Sequence, residues 1–389
     1  MPFAAALSEH PLATHATGEV VGHVLERLGG RRPDVALLFV TDAHGGALED
    51  IGATVRTALD PGVLLGVTAV SVAGGPREVE ERPAVSLWVG CFGPTERPPR
   101  PVRLQGVDAV GASDAAFSGL PDDLDPEHEL LVVLADPFSF PTPAFLDEVD
   151  RRRPGLAVAG GLASAGRGPG GNRLLLDGAL VDDGAVGVLL PAGRATSIVV
   201  SQGCRPVGDP YVVTRAEANV VHELGGQSAL ARLEQVVADL GPDERSMAQR
   251  GGLHIGRVID ERRAHFGPGD FLIRAVLGAD RDSGAVAIGD EAEVGATLQF
   301  QVRDAASADE DLRELLAGRR ADGALLFTCN GRGVGLFGEP DHDAAVLDAV
   351  VGGGATAGMF CAGELGPVGG RNFLHGYTAS MILFTDPLG

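Results

Sequence analysis

Short apolar runs, each followed by a polar loop and an amphipathic stretch, recur three times along the chain. The first run, residues 36–40, reads as a strand buried on both faces; a polar loop (41–46), a helix (48–59), a strand ending in small residues (63–69) and a further strand (84–89) follow. The same order returns at residues 130–134, with a loop at 136–142, a helix at 143–152, a small-residue segment at 158–164 and strands at 173–176 and 185–190. A third copy opens at 324–328 and continues with a loop at 329–340, a helix at 342–350, a small-residue segment at 355–364 and a closing strand at 376–384. Each copy therefore reads strand, loop, helix, strand, strand, and such internal repetition is the first guide to architecture.

Between the second and third copies the pattern changes. Residues 198–201, 211–214, 252–258, 271–276 and 298–303 read as strands, and 203–208 as a loop. Residues 229–240 carry helical spacing, with Leu230, Leu233 and Val237 on one face and Ser228 as N-cap; 308–316 form another helix. Residues 94–101, rich in Pro and Arg, read as a surface loop. The expected fold class is α/β: two lobes of mixed β-sheets flanked by helices, built from repeated strand-loop-helix-strand-strand units. The boundary is placed at residues 191–194, which gives lobes of 20–190 and 195–386.

Length and composition agree with two cores. The chain has 389 residues, 44% hydrophobic and 22% charged, and its single Trp and two Tyr leave the interior to Val, Leu, Ala and Ile. The formal net charge of −22 opposes binding to phosphate backbones and anionic membrane surfaces, so neither nucleic acid nor membrane is an expected partner. All 31 basic residues are Arg, which excludes a Schiff-base lysine and a P-loop lysine. The N-terminus lacks the pattern of a signal peptide and no run is long enough to span a bilayer, so a cytoplasmic protein with free thiols is expected. Its four cysteines, Cys91, Cys204, Cys329 and Cys361, form no CxxC pair.

Candidate chemistry concentrates where the strands of the third copy end. Cys329, Asn330, Gly331, Arg332 and Gly333 lie in one loop, Cys361, Gly363 and Glu364 in a second, Asn372 and His375 in a third. Strand ends of α/β folds are the usual ligand sites. Arg332 suits a carboxylate, Glu364 an ammonium group, and Asn372 and His375 supply hydrogen bonds, a set that fits a zwitterion such as an amino acid. Cys204, Arg205, Cys329 and Cys361 are assigned to the same cleft. In the bland reading Arg332 and Glu364 pair with each other and the glycines serve turns. A cysteine enzyme using Cys361 and His375, with Glu364 or Asn372 orienting the imidazole, is an alternative that no familiar catalytic motif supports. No cofactor is expected. The histidines form no i, i+4 pair and no CxxCH, and His254, between Leu253 and Ile255, reads as a buried residue.

The segments 201–208, 212–214 with Asn219, 269–274, 300–304 and the third-copy loops resemble the FIST C-terminal domain; 160–164 and 184–187 resemble the end of the FIST N-terminal domain. The resemblance runs from about Val20 onward and is loose in the first hundred residues, where Val67 stands at a position that is cysteine in many relatives. It implies a sensory module of signal transduction that binds small polar metabolites and passes its output to a separate signalling protein, since the chain leaves no room for a kinase, cyclase or F-box. Haem-based gas sensing through one histidine, known among relatives, and a protein-interaction scaffold are the further alternatives.

Overall fold

A computed structural model describes residues 2–107, 116–192, 196–263, 265–267, 269–353 and 355–385. The first copy comprises β1 (Phe3–Ser8), α1 (Ala13–Leu28), β2 (Val35–Thr41), the single turn α2 (Asp42–Gly45), α3 (Leu48–Leu59), β3 (Val63–Ala69), the hairpin β4 (Ser71–Gly74) and β5 (Arg77–Glu80), and β6 (Val85–Gly90). The second comprises β7 (Arg100–Val107), β8 (Ala116–Ser118), β9 (Glu129–Ala135), α4 (Thr142–Arg152), β10 (Ala157–Leu162), the hairpin β11 (Leu174–Leu176) and β12 (Ala179–Val181), and β13 (Ala185–Pro191). The edge strand β14 (Thr196–Gln202) then leads to β15 (Cys204–Pro206), β16 (Tyr211–Glu217), β17 (Val220–Leu224), β18 (Gln227–Ser228), α5 (Ala229–Asp239), α6 (Pro242–Gly251), β19 (Leu253–Val258), β20 (Phe271–Asp280), β21 (Ala285–Ile288), β22 (Thr297–Arg303) and α7 (Ala305–Leu316). The third copy comprises β23 (Gly323–Cys329), the turn α8 (Val334–Phe337), α9 (His342–Val351), β24 (Thr356–Cys361), the hairpin β25 (Glu364–Val368) and β26 (Arg371–His375), and β27 (Thr378–Phe384).

The three copies share one topology. The first strand of each runs parallel to the strand after its helix (β2 with β3, β9 with β10, β23 with β24) and antiparallel to its closing strand (β6, β13, β27). A preceding strand (β1, β7, β14) flanks each closing strand. The hairpins are exchanged in a cycle: β4–β5 of the first copy joins β24 of the third, β25–β26 of the third joins β10 of the second, and β11–β12 of the second joins β3 of the first. No copy can complete its sheet alone. At equivalent positions on the receiving strands stand Gly66, Gly160 and Gly358, paired in register with Leu175, Leu365 and Ala73. Gly160 has φ 139°, and a Cβ there would lie 1.9 Å from the carbonyl oxygen of Val133, so only glycine lets the strand pass.

Side chains lock the copies together. The amide of Val70 donates to Ser164 Oγ at 3.0 Å, and Ser164 Oγ donates to the carbonyl of Phe360 at 2.6 Å, so one hydroxyl ties the second-strand ends of all three copies. Trp88 Nε1 donates to the carbonyl of Ala355 at 3.0 Å, and the Phe39 and Phe327 rings meet edge to face at 6.1 Å. Helix α1 buries Ala16, Val20, Val24 and Leu28 at four-residue spacing and ends on Gly29 in the left-handed region (φ 58°). It packs with α3 over β1, β6 and β2 in one core, while α4 covers the β9 sheet in another.

The chain falls into two compact units, residues 1–200 with 315–374 and 378–389, and residues 201–314 with 375–377. The first holds all three copies. In the second, β16, β17, β21, β20, β19 and β22 close into a barrel through the β19–β22 pairing, around Val213, Val221, Ile255, Val286, Leu298, Phe300 and Val302. This grouping follows packing in space: the hairpin exchange joins the third copy to the first two, although a cut in chain order at residue 191 separates it from them. Gly193 and Arg194 of the expected boundary lie outside the described residues. The expected loop 94–101 is shorter than its Pro content suggested, because Arg100 and Pro101 already pair with β13.

Candidate functional site

The strand ends of the third copy carry a buried charged cluster inside the first unit. Strand β23 delivers Thr328 and Cys329, the turn that follows delivers Arg332, and α9 returns Asp343 to the same point. Arg332 Nε and Nη2 bond Asp343 Oδ2 and Oδ1 at 2.6 and 2.8 Å, a two-point ion pair with Arg332 only 1% exposed. Thr328 Oγ1 donates to Asp343 Oδ2 at 2.7 Å, and His342 Nδ1 lies 3.0 Å from Oδ1. Burial pushes the Asp343 carboxyl up, yet the Arg332 charge and these hydrogen bonds outweigh it and hold the group well below the usual range. Phe337 stacks on His342 at 3.5 Å and lies under the Arg332 guanidinium.

The exchanged hairpin of the first copy completes the cluster. Glu78 of β5 accepts the amide of Ala344 at 3.0 Å, at the N-terminus of α9, and its own amide donates to Asp341 Oδ1 at 2.7 Å. Burial, and then the Asp343 charge, push its carboxyl up to about 8, and Glu78 Oε2 has no hydrogen-bond partner. Glu80 accepts the amide of Val334 at 2.9 Å. A Cβ on Gly333 (φ 71°) would lie 2.6 Å from Glu80 Oε1.

Glu364 opens β25 and is fully buried. Its Oε2 accepts from the amide (3.2 Å) and hydroxyl (2.8 Å) of Thr378, while Oε1 finds no N–H or O–H donor. Burial pushes this carboxyl up to about 8 against the opposing pull of Thr378, Arg332 and the Cys329 thiol. Cys329 and Cys361 are register partners across the parallel β23–β24 pair. Cys361 is fully buried beside Gly161, where a Cβ would come 2.3 Å from its sulfur, and burial pushes its thiol well up. That is the opposite of nucleophilic activation. The amide of Asn330 donates to the carbonyl of Cys361 at 2.9 Å, leaving its side chain at the exposed rim. The carbonyl of Gly363 accepts from Leu162 at 2.9 Å and extends the β10 pairing.

The remaining candidates sit elsewhere. The amide group of Asn372 is consumed by structure: Nδ2 donates to Asp150 Oδ1 and the Leu156 carbonyl at 2.6 and 2.9 Å, and Oδ1 accepts from Val158 at 2.8 Å. Cys204, Arg205 and His375 belong to the second unit, so the expected gathering of three thiols reduces, within one unit, to Cys329 and Cys361. Cys204 packs with Val258, Phe271 and Ile273. Arg205 bonds Asp304 Oδ2 at 3.0 Å and Glu244 Oε1 at 3.1 Å, which fastens β15 to the starts of α7 and α6. Arg332 and Glu364 do not pair directly as the bland reading supposed: Asp343 takes Nε and Nη2 of the guanidinium, and Nη1 makes no bond to Glu364. Sequence reasoning missed Asp343, Glu78, Thr328 and Thr378. An acidic residue in the first turn of the third-copy helix was the one available signal for Asp343.

Three cavities of the first unit lie away from this cluster: an open cleft of about 510 Å³ between β1, α1 and the β4–β5 turn, an apolar pocket of about 240 Å³ at Phe3, Cys91, Phe92 and Phe384, and one of about 130 Å³ at Phe117 and Phe145. Among the described residues, no three His, Cys, Asp or Glu side chains gather as metal ligands, and no helix is long and apolar enough to cross a membrane.

Comparison with known proteins gives a consistent answer. The chain matches the model of the FIST N domain over residues 34–227 and that of the FIST C domain over 229–367. The junction between the two matches falls inside the barrel. It is similar to an uncharacterized protein of Mycobacterium tuberculosis strain H37Rv, 44% identical over 386 residues that cover 98% of both chains. An uncharacterized protein of Mycobacterium bovis is 44% identical over 384 residues, 97% of each chain.

Proposed function

Because the chain belongs to the FIST family, whose domains are described as small-ligand-binding sensory domains of signal transduction, we propose that the third-copy strand ends are its ligand site and that the ligand is a small zwitterion such as an amino acid. One observation carries this reading: Arg332 Nη1 and Glu364 Oε1 are buried, have no nitrogen or oxygen partner (the weakly donating Cys329 thiol is the one further group acting on the carboxyl), and are close enough to influence each other electrostatically. Buried polar atoms are nearly always satisfied, so a complementary pair of orphans calls for an occupant. A ligand carboxylate would take the free Nη1. A ligand ammonium would take Glu364, which gives up its proton on binding.

The Asp343 pair keeps Arg332 charged and oriented, and exposed Asn330 and Val334 mark the rim through which the site would open. Signal output would pass to a separate protein. Cys361 is held as a buried thiol whose pKa burial pushes well up, so it is not set up as a nucleophile.

The test is a thermal-shift and calorimetric screen of the full chain against the amino acids and small carboxylates. A ligand that binds only the folded state raises the melting temperature. Glu364→Gln keeps the size and the Thr378 contacts but removes the charge; it should weaken the hit at least about tenfold, since a charged hydrogen bond is worth roughly 1.5–3 kcal/mol. Binding heats should also vary with the ionisation enthalpy of the buffer. No hit, or equal affinity in Glu364→Gln, removes the assignment.

A further inference from the structure

The barrel carries a second set of orphaned polar atoms, independent of the strand-end cluster. Along β19 and β22, Ile255, Phe300 and Val302 turn into the barrel core. His254, Gln301 and Arg303 alternate with them and therefore project from the opposite face. His254 and Gln301 are direct register partners. Gln301 is 0% exposed and both atoms of its carboxamide lack partners; His254 is 4% exposed and its Nδ1 lacks one. Three orphaned atoms on two adjacent side chains are hard to reconcile with an inert core, where an apolar pair would pack as well.

Two features of the backbone frame the same spot. Gly256, next but one to His254, lets the amide lie against the strand: a Cβ there would come 2.8 Å from Gln301 Nε2 and 2.9 Å from the Phe271 ring, so only glycine leaves room for both side chains. Tyr377, with φ 65°, holds a left-handed conformation that a bulky side chain rarely adopts, and its ring meets the His254 ring edge-on at 4.2 Å. The Arg303 guanidinium lies 5.5 Å from the centre of the same ring. Burial, then the Arg303 charge, hold the His254 imidazole down at about 4, so it is neutral at neutral pH.

We infer that this face of the barrel binds a planar, neutral ligand through a cis-amide edge, the adjacent donor and acceptor of a lactam, a primary amide or a nucleobase. A carboxamide presents one donor and one acceptor side by side in a plane, and only an edge with the reverse order satisfies both. A carboxylate would satisfy Nε2 but set its lone pairs against Oε1. Neutral His254 adds one further bond from Nδ1, and the Tyr377 ring bounds the site.

Uracil and nicotinamide are the probes, tested on the full chain by thermal shift and calorimetry. At least one should raise the melting temperature and bind saturably. Gln301→Met, unbranched and of similar length, should weaken that binding at least tenfold; Gln301→Leu serves as the second variant should the first fail to fold. Glu364→Gln should leave the probe affinity within twofold, which separates this site from the strand-end cluster. No response to either probe at millimolar concentration means the amide faces bound water only and overturns the proposal. A response unchanged in the Gln301 variant overturns it as well.

Discussion

Arg332 and Asp343 form a two-point ion pair with both side chains at most 1% exposed, and the helix that carries Asp343 is capped by a carboxylate from a different copy of the repeat. The strand-end cluster thus depends on the hairpin exchange. Strand β5 of the first copy supplies Glu78 to α9 of the third, so the geometry around Arg332 exists only when the sheets have assembled. Breaking such a pair from one side strands a buried charge, at a cost of about 3–5 kcal/mol, whereas replacing both partners with apolar groups is milder. Arg332→Met and Asp343→Asn should each lower stability by about that amount in urea unfolding, and the double variant Arg332→Met with Asp343→Leu should recover much of it. Single variants within about 0.5 kcal/mol of the parent would show that the pair is not closed in solution.

The raised carboxyls set a pH dependence of definite sign. Glu78 and Glu364 have an ordinary value of 4.5 and are raised to about 8 in the folded protein, mainly by burial. Between these values the folded state binds more protons than the unfolded one, so stability falls as pH rises. Their contribution is complete below about 4.5 and is lost as pH passes through about 8. Asp343 runs the other way: its lowered value contributes stability above the unfolded pKa, lost as pH falls towards strong acid. The melting temperature should therefore decline between roughly pH 5 and pH 9, and Glu364→Gln should flatten the decline. An unchanged slope in that variant would mean the carboxyl is already ionised when folded.

Much of the first unit was legible in the chain because its central strands are buried on both faces. Residues 36–40, 130–134 and 324–328 each lie within an observed first strand, and the helix at 48–59 ends where the sequence predicts. Strand β1 and helix α1 were missed, though Ala16, Val20, Val24 and Leu28 carry the period, because Gly18, Gly22 and His23 dilute it. The exchange itself is not readable. Strands β4 and β11 are four and three residues long, and nothing in them names a partner more than a hundred residues distant. For the same reason Arg332 was recognised as a candidate while its partner was not: Asp343 looks like any acidic residue in a first helical turn until α9 is seen to start beside β23.

Asn372 tests the exchange directly. It lies on β26, the outer strand of the third-copy hairpin, yet its carboxamide bonds the backbone of Leu156 and Val158 and the carboxylate of Asp150, all from the second copy. Asn372→Leu leaves a buried amide and a buried carbonyl without partners, each worth roughly 1–3 kcal/mol, so a loss of about 2–6 kcal/mol is expected in denaturant unfolding. The consequence should also spread. Because each hairpin completes a neighbour's sheet, loosening β25–β26 exposes the edge of β10 and weakens the Ser164 link to Val70 and Phe360. Amide exchange should then accelerate by similar factors in β3, β10 and β24, the three receiving strands. Acceleration confined to β26 and β10 would show that the copies open independently and that the cycle of hairpins does not make them one cooperative body.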